Sequence, residues 1–393
     1  MIIHLFNSSL VSGPETLVIP ALPSLEQELG EIRVGFLFEK RKGSAAESPV
    51  EYARRFGLRT FSVAVRRQLD FKAVRELADQ LERLRPTIVH AHDVKASTYL
   101  ALAALSLRLR KKGPLPWKMV STHHGVHARH GAKIRAYELF YCYVVLRFFD
   151  LVLCVCSSDR EILLRRGLDP RRVQVHLNGI DREEITSAER PRKSAEIRRE
   201  WESSLGIDLQ SKAVFGMAAR LSREKNHALL LDALSHLKRE RPDFAWTCLC
   251  FGTGSLEEAL RERTEELGLG LDVHWAGYRP GLSGEMAGFD ILISLSLGEG
   301  LPINLLEAGW SGTPVLAVCV DGVKDLLIGN ELQLFRLAPN PPAEAVALQL
   351  TAMMRDVKTR QLSGSVFQQA VMKNFSGKSW KKGLIEAYRK LSS

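Results

Sequence analysis

The sequence predicts an α/β protein of two doubly wound domains, each a parallel sheet covered by helices on both faces. Three observations predict it. The chain is 393 residues long, enough for two cores. Short apolar runs alternate with amphipathic ones from end to end. A polar, heavily charged stretch from Asp181 to Leu209 divides that alternation in two.

In the first half, Ile2–Phe6, Arg33–Phe38, Thr87–His90, Lys118–Thr122, Leu151–Val155 and Val173–His176 read as strands, being apolar runs too short for helices. Between them Pro14–Leu29, Phe71–Arg85, Val94–Lys112, Ala132–Phe149 and Ser158–Arg166 carry helical spacing. The second half repeats the rhythm. Its expected strands are Lys212–Met217, Ala245–Phe251, Val273–Trp275, Ile291–Ser294 and Pro314–Val318. Its expected helices are Asn226–Lys238, Leu256–Leu267, Pro302–Trp310, Pro342–Arg355 and Thr359–Lys373, with a last one from Ser376 to Leu391 after a break at Asn374-Phe375-Ser376. The expected boundaries are a first domain over 1–185, a linker over 186–209, a second domain over 210–374 and a terminal helix over 375–393. Two such domains would leave a cleft lined by the carboxyl ends of their strands, where open α/β sheets bind ligands.

Composition narrows the class. The amino terminus, Met1-Ile2-Ile3-His4-Leu5-Phe6-Asn7, has no basic leader or small-residue cleavage site and reads as a first strand. The longest apolar candidate for a membrane span, Tyr143 to Cys156, is cut by Arg147 and Asp150, so a cytoplasmic protein is expected. Six cysteines are too few for a disulfide scaffold; Cys154 with Cys156, and Cys248 with Cys250, alternate as core thiols of a strand. The net charge is +10, and residues 1–184 carry +9 of it. Between Asp93 and Glu138 there is no acid, while Lys95, Arg108, Arg110, Lys111, Lys112, Lys118, Arg129, Lys133 and Arg135 fall there. Such a field suits an anionic membrane surface, reached peripherally from the inner face, or an acidic polymer. A nucleic-acid partner is not expected, for there are no interleaved aromatics and no recognisable module. No G-x-G-x-x-G follows the first strand, which disfavours a nicotinamide enzyme.

Two motifs carry chemistry. Glu299-Gly300-Leu301-Pro302-Ile303-Asn304-Leu305-Leu306-Glu307-Ala308 follows a strand, so a tight turn opens a helix whose free N–H groups suit a diphosphate. Glu299 in the turn and Glu307 two turns later can serve different parts of one ligand. Gly216-Met217-Ala218-Ala219-Arg220-Leu221-Ser222-Arg223-Glu224-Lys225-Asn226 ends another strand, and places Arg220 and Lys225 where two cations can meet the phosphates of a leaving nucleotide.

These residues, with Phe251-Gly252-Thr253-Gly254, Ala276-Gly277 and Gly312-Thr313-Pro314-Val315, resemble the nucleotide-binding half of the retaining glycosyltransferases called group 1, which have the GT-B fold. The spacing from Glu299 to Glu307 is specific to that family. Pro86-Thr87-Ile88-Val89-His90-Ala91-His92, Thr122-His123-His124-Gly125 and Asn178-Gly179-Ile180-Asp181 extend the likeness through the first half. The resemblance implies that Arg220 and Lys225 bind the diphosphate, Glu307 the ribose and Glu299 the donor sugar. It places His124 at the transferred sugar, and Gly13, Gly252, Gly254, Gly300, Leu301, Asn304 and Leu305 around the donor. It implies a nucleotide-diphosphate sugar as donor, UDP favoured, and a glycan or lipid-linked acceptor. No metal is implied, since family members usually need none and the chain has no Asp-x-Asp. The terminal helix is expected to return to the first domain. Three departures stand out: Ser12-Gly13-Pro14-Glu15 has one glycine where two are common, Asp321-Gly322 replaces Gly-Gly, and Leu301 replaces a frequent aromatic.

Histidines 90, 92, 123, 124, 127 and 130 admit a zinc site as the alternative to structural roles, although no carboxylate accompanies the second cluster. The rival to an enzyme is a non-catalytic protein of the same fold that binds sugar nucleotides or anionic polymers. An assay of transfer or hydrolysis separates the two.

Overall fold

A computed structural model describes residues 1–8, 11, 13–39, 48–67, 69–125, 132–181, 185–327 and 336–392. His127, Arg129 and His130, and Ser12 of the first loop, lie outside them, as do the side chains of Lys133 and Arg135. In chain order the elements are β1 (Ile2–Asn7), α1 (Gly13–Val18), α2 (Leu22–Leu29), β2 (Ile32–Glu39), α3 (Pro49–Arg55), β3 (Arg59–Val65), α4 (Phe71–Leu84), β4 (Ile88–Ala91), α5 (Val94–Lys111), β5 (Lys118–His123), α6 (Ala132–Tyr143), β6 (Leu151–Cys154), α7 (Ser157–Arg165) and β7 (Val173–Val175). They continue with α8 (Arg190–Leu205), β8 (Ala213–Ala218), α9 (His227–Glu240), β9 (Trp246–Phe251), α10 (Glu257–Glu266), β10 (Val273–Gly277), β11 (Ile291–Ser294), α11 (Ile303–Trp310), β12 (Val315–Val318), α12 (Asp321–Leu326), β13 (Arg336–Leu337), α13 (Ala343–Arg355), α14 (Val357–Asn374) and α15 (Gly377–Ser392).

The chain forms two compact units, Met1–Gly179 with Gly377–Ser393, and Ile180–Ser376. Each holds a parallel sheet wound in both directions from its first strand. The orders are β3-β2-β1-β4-β5-β6-β7 and β10-β9-β8-β11-β12-β13. The stretch expected as a linker over 186–209 holds α8, a helix of the second unit. Its buried face rests on two apolar side chains, Ile197 and Trp201, one turn apart, and most of the rest is polar, which hides it from hydrophobic periodicity. Trp201 is fully buried against Phe289 and Phe251, and its indole N–H donates to Glu285 Oε2 at 2.5 Å. Within the first unit, Pro14–Leu29 was expected as one helix. It is α1, a 3-10 turn and α2, because Pro20 and Pro23 bring no N–H and each starts a new turn. The strand β3 and the helix α3 have no counterpart among the expected elements.

Parallel register decides which side chains of the first unit meet. His4 pairs with His90 across β1 and β4, and His92 follows two residues on, so all three imidazoles share one face. That face is covered by α15, whose Tyr388 is buried. His4 Nδ1 lies 2.8 Å from His92 Nε2, His90 Nδ1 lies 2.6 Å from the Tyr388 hydroxyl, and His90 Nε2 lies 2.7 Å from Thr122 Oγ1. At the end of β1, Asp93 accepts from Asn7 N at 2.6 Å and, as the N-cap of α5, from Ala96 N at 2.7 Å.

Burial lowers the His4 pKa to about 3 and drives His90 and His92 well below the imidazole range, with neighbouring imidazoles adding to the effect on those two. These rings fold neutral, whereas unfolded they take up protons below about pH 6.5. The unfolded chain then binds more protons, so stability is lost as pH falls from about 6.5 toward 4, by up to ~1.4 kcal/mol per pH unit for each enclosed ring. Asp93 works in the opposite sense. Burial, and after it the charge of Glu15, raises its pKa to about 6, so protonation in the same interval favours the folded state. One carboxyl against three imidazoles leaves the net direction downward. Urea midpoints are expected to fall between about pH 7 and pH 5; a flat or rising midpoint would contradict neutral burial.

Candidate active site

In the second unit the winding reverses between β8 and β11, the place where an open parallel sheet takes its ligands. Loops from the carboxyl ends of four strands meet there, and glycines let their backbones touch. A Cβ at Gly252, after β9, would lie 2.0 Å from the Ala219 carbonyl oxygen, and one at Gly254 would lie 2.2 Å from that of Leu221, both in the loop after β8. A Cβ at Gly322, after β12, would lie 1.8 Å from the Gly300 carbonyl oxygen, after β11. Only glycine fits at these distances. Asp321, in place of the usual glycine, takes φ +24°, a region that glycine enters freely and L side chains do not.

The charged groups sit on this frame. Arg220 follows β8 with its side chain exposed. Lys225 ends the 3-10 turn Arg223–Lys225, and Asn226, at φ +60°, swings the chain into α9. Lys225 Nζ donates to Glu299 Oε1, and Ser296 Oγ donates to the same oxygen at 2.7 Å. Leu297 N donates to the Glu224 carbonyl at 2.9 Å, so the loops that carry the pair are bonded through their backbones as well. The side chains are 23% and 13% exposed, which leaves the ion pair reachable yet shielded from bulk water.

The helix α11 begins after Pro302 and is tied to the end of β8 by Asn304, whose Nδ2 donates to the Ala218 carbonyl at 3.0 Å. Asn304 Oδ1 in turn accepts from Leu305 N at 2.9 Å. The side chains of Leu301 and Leu305 are buried in the core, and Glu307 is partly buried on the same helix.

The structure thus brings Arg220, Lys225, Gly252, Gly254, Glu299, Gly300 and Asn304 onto one edge of the second sheet, with Leu301, Leu305 and Glu307 on the loop and helix that follow. Gly13 and His124 belong to the first unit. Gly13 opens α1; His124 follows β5, with Nε2 enclosed and its pKa lowered to about 4, first by burial and then by His123. Asp159, distant in sequence, comes within 3.8 Å of His123 and supplies the second histidine cluster with a carboxylate. Ser296, which orients Glu299, was missed by sequence reasoning; a serine three residues before the glutamate is too common to mark. Among the described residues, the metal-ligating side chains brought together are His4, His90 and His92; His4 Nδ1, His92 Nε2 and both His90 nitrogens make the hydrogen bonds given above, while His92 Nδ1 is buried with no hydrogen-bond partner.

Two Rossmann-type units, one of which gathers two cations and a carboxylate at its switch point, define a GT-B glycosyltransferase. Residues 198–364 match the model of the family described as glycosyl transferases group 1, and residues 26–184 match that of glycosyltransferase family 4; the chain belongs to the group 1 glycosyltransferases. It is 24% identical over 346 residues to the UDP-Gal:alpha-D-GlcNAc-diphosphoundecaprenol alpha-1,3-galactosyltransferase of Escherichia coli, covering 86% of this chain and 84% of that one. It is 29% identical over 248 residues to the D-inositol 3-phosphate glycosyltransferase of Corynebacterium urealyticum, covering 60% and 56%. Among solved structures, HepE of Anabaena in complex with UDP and glucose superposes with a TM-score of 0.79 at 17% identity, over 99% of this chain and 100% of that one.

Proposed function

We propose that this glycosyltransferase moves a hexosyl or N-acetylhexosaminyl group from a UDP-sugar to a glycan or lipid-linked acceptor in the synthesis of surface polysaccharide or glycolipid. The reaction retains anomeric configuration and uses no metal ion. The observation that carries this is the Lys225–Glu299 pair, with Arg220 on the same loop after β8, at the switch point of the second sheet. The names of two similar proteins support it: one transfers from UDP-Gal to a diphosphoundecaprenol-linked sugar, and the other was solved with UDP and glucose.

On this proposal the donor's phosphates draw Lys225 away from Glu299 and engage Arg220. Glu299, so released, accepts hydrogen bonds from hydroxyls of the sugar, and Glu307 holds the ribose. The bond from the anomeric carbon to the diphosphate oxygen breaks as the acceptor oxygen adds on the same face. The acceptor's proton passes to the departing diphosphate, whose growing charge the two cations stabilise. His124, neutral at physiological pH, contacts the transferred sugar without adding charge. The first unit takes the acceptor, at the cytoplasmic face of an anionic membrane. None of the described helices is long and apolar enough to cross that membrane.

A panel of nucleotide sugars tests the donor. UDP-sugars at ~100 times their dissociation constant are expected to stabilise the fold by roughly 2.7 kcal/mol, and one of them to be turned over. Turnover is expected to persist in EDTA. Loss in EDTA, restored by manganese or magnesium, would overturn the metal-free mechanism; binding without transfer or hydrolysis would leave a binding protein.

A further inference from the structure

The acid-free basic stretch is less free than it reads. Arg110 pairs with Asp79 at 2.8 Å and Lys111 with Glu82 at 3.0 Å, both on α4, so acids from another helix pair with two of the cations at the end of α5. A different feature of the first unit is unaccounted for. In and after α6, the buried face is Tyr141, Cys142, Val145 and Leu146, and the outer face is apolar too. Leu139, Phe140, Tyr143 and Val144 are 41–46% exposed and, with Arg147 a turn further on, recur at helical spacing as one stripe. An ordinary surface helix puts polar residues there.

The stripe runs into a recess of about 390 Å³, floored by Leu146, Val152 and Leu168 and flanked by Arg147, Arg172 and Asp169, the last with its carboxylate paired to Arg171. The Arg147 guanidinium is held at its mouth by a bond from Nε to the Tyr143 carbonyl at 2.8 Å. Among the described residues, neither Arg147 nor Arg172 is in an ion pair, in contrast to Arg171, which grips Asp169 at 2.9 Å. Four side chains, each less than half exposed, offer a few hundred Å², short of the ~800 Å² per partner of a standard protein interface. A lipid surface demands no such area; it takes a row of apolar and aromatic side chains at the headgroup boundary, with cations at the phosphates.

We propose that the outer stripe in and just after α6, Leu139, Phe140, Tyr143 and Val144, lies in an anionic membrane surface, and that the recess between Arg147 and Arg172 takes a lipid phosphate. The proposal rests on the membrane-facing role given above to the first unit and names the element that performs it.

The test is flotation of the full chain with phosphatidylcholine vesicles, with and without phosphatidylglycerol. Binding is expected with phosphatidylglycerol and is weakened by salt. Arg147→Gln with Arg172→Gln should lower it by roughly tenfold or more, at about a fivefold loss per cation. Phe140→Ser with Tyr143→Ser should abolish it, while Arg110→Gln with Lys111→Gln should change it by less than about twofold. Unchanged melting curves and UDP binding in each variant show that the fold and the donor unit are intact, and vesicle binding is read without any acceptor, so a failure of sugar transfer is seen separately. No partition onto phosphatidylglycerol vesicles, or partition indifferent to both pairs of substitutions, would overturn the proposal. So would a wild-type dimer in light scattering that Phe140→Ser with Tyr143→Ser turns into a monomer, which would give the stripe to a second copy.

Discussion

Lys225→Ala is expected to lower sugar transfer by about a hundredfold or more, the scale on which a lost charge-stabilising donor is felt. Two effects combine. The departing diphosphate loses a cation, and Glu299 keeps only the Ser296 hydroxyl in a site where its side chain is 13% exposed. Lys225→Met keeps the length of the side chain and should fall as far, which separates charge from packing, and Arg220→Ala should fall in the same direction. Initial rates with saturating donor, beside far-ultraviolet circular dichroism as a control for folding, measure it. Near wild-type turnover in both Lys225→Ala and Arg220→Ala would remove these residues from the chemistry.

Gly322→Ala is expected to spoil donor binding without touching a charged group. Its methyl would sit 1.8 Å from the Gly300 carbonyl oxygen, which is backbone and cannot swing aside as a side chain end would. Gly322 N also donates to the Glu299 carbonyl at 3.2 Å, so relief of the clash moves the turn that presents Glu299. Overpacking of this kind costs about 1–3 kcal/mol, or a melting temperature lower by roughly 2–12 °C in a domain of this size. The thermal shift with UDP should vanish. Gly284→Ala, where nothing lies within 4 Å of the new methyl, is the matched control and should leave both quantities alone. A Gly322→Ala protein with wild-type melting and UDP response would mean that the loops after β11 and β12 are not held as described.

The frame of the candidate site was legible because its chemistry and its geometry leave local marks. Gly252, Gly254 and Gly322 are glycines because backbones meet there, and Arg220, Lys225 and Glu299 each follow an apolar strand, so their common edge follows from alternation alone. The fold class was legible for the same reason. What stayed hidden depends on partners far along the chain or on weak patterning. The helix α8 buries two apolar side chains and reads as a linker. The strand β3 alternates between exposed and buried on the outer edge of its sheet and gives too faint a signal. Arg110 and Lys111 looked unopposed because their acids lie on α4, 31 residues away in the case of Arg110 and Asp79. The Tyr388 hydroxyl that completes the surroundings of His90 comes from 298 residues downstream, and no local pattern announces it.

That last separation fixes an order of assembly during synthesis. Domains of a growing chain usually finish in the order in which they leave the ribosome. Here the whole of Ile180–Ser376 is translated before α15, so the second unit has all its residues while the first still lacks the helix that covers His4 and His90. The strand β1 is made well before it, yet the face that carries His4 lacks its cover until Tyr388 emerges. The unit begun earliest is therefore completed last, and a ribosome stalled anywhere between Ile180 and Ser376 carries a first unit that cannot close.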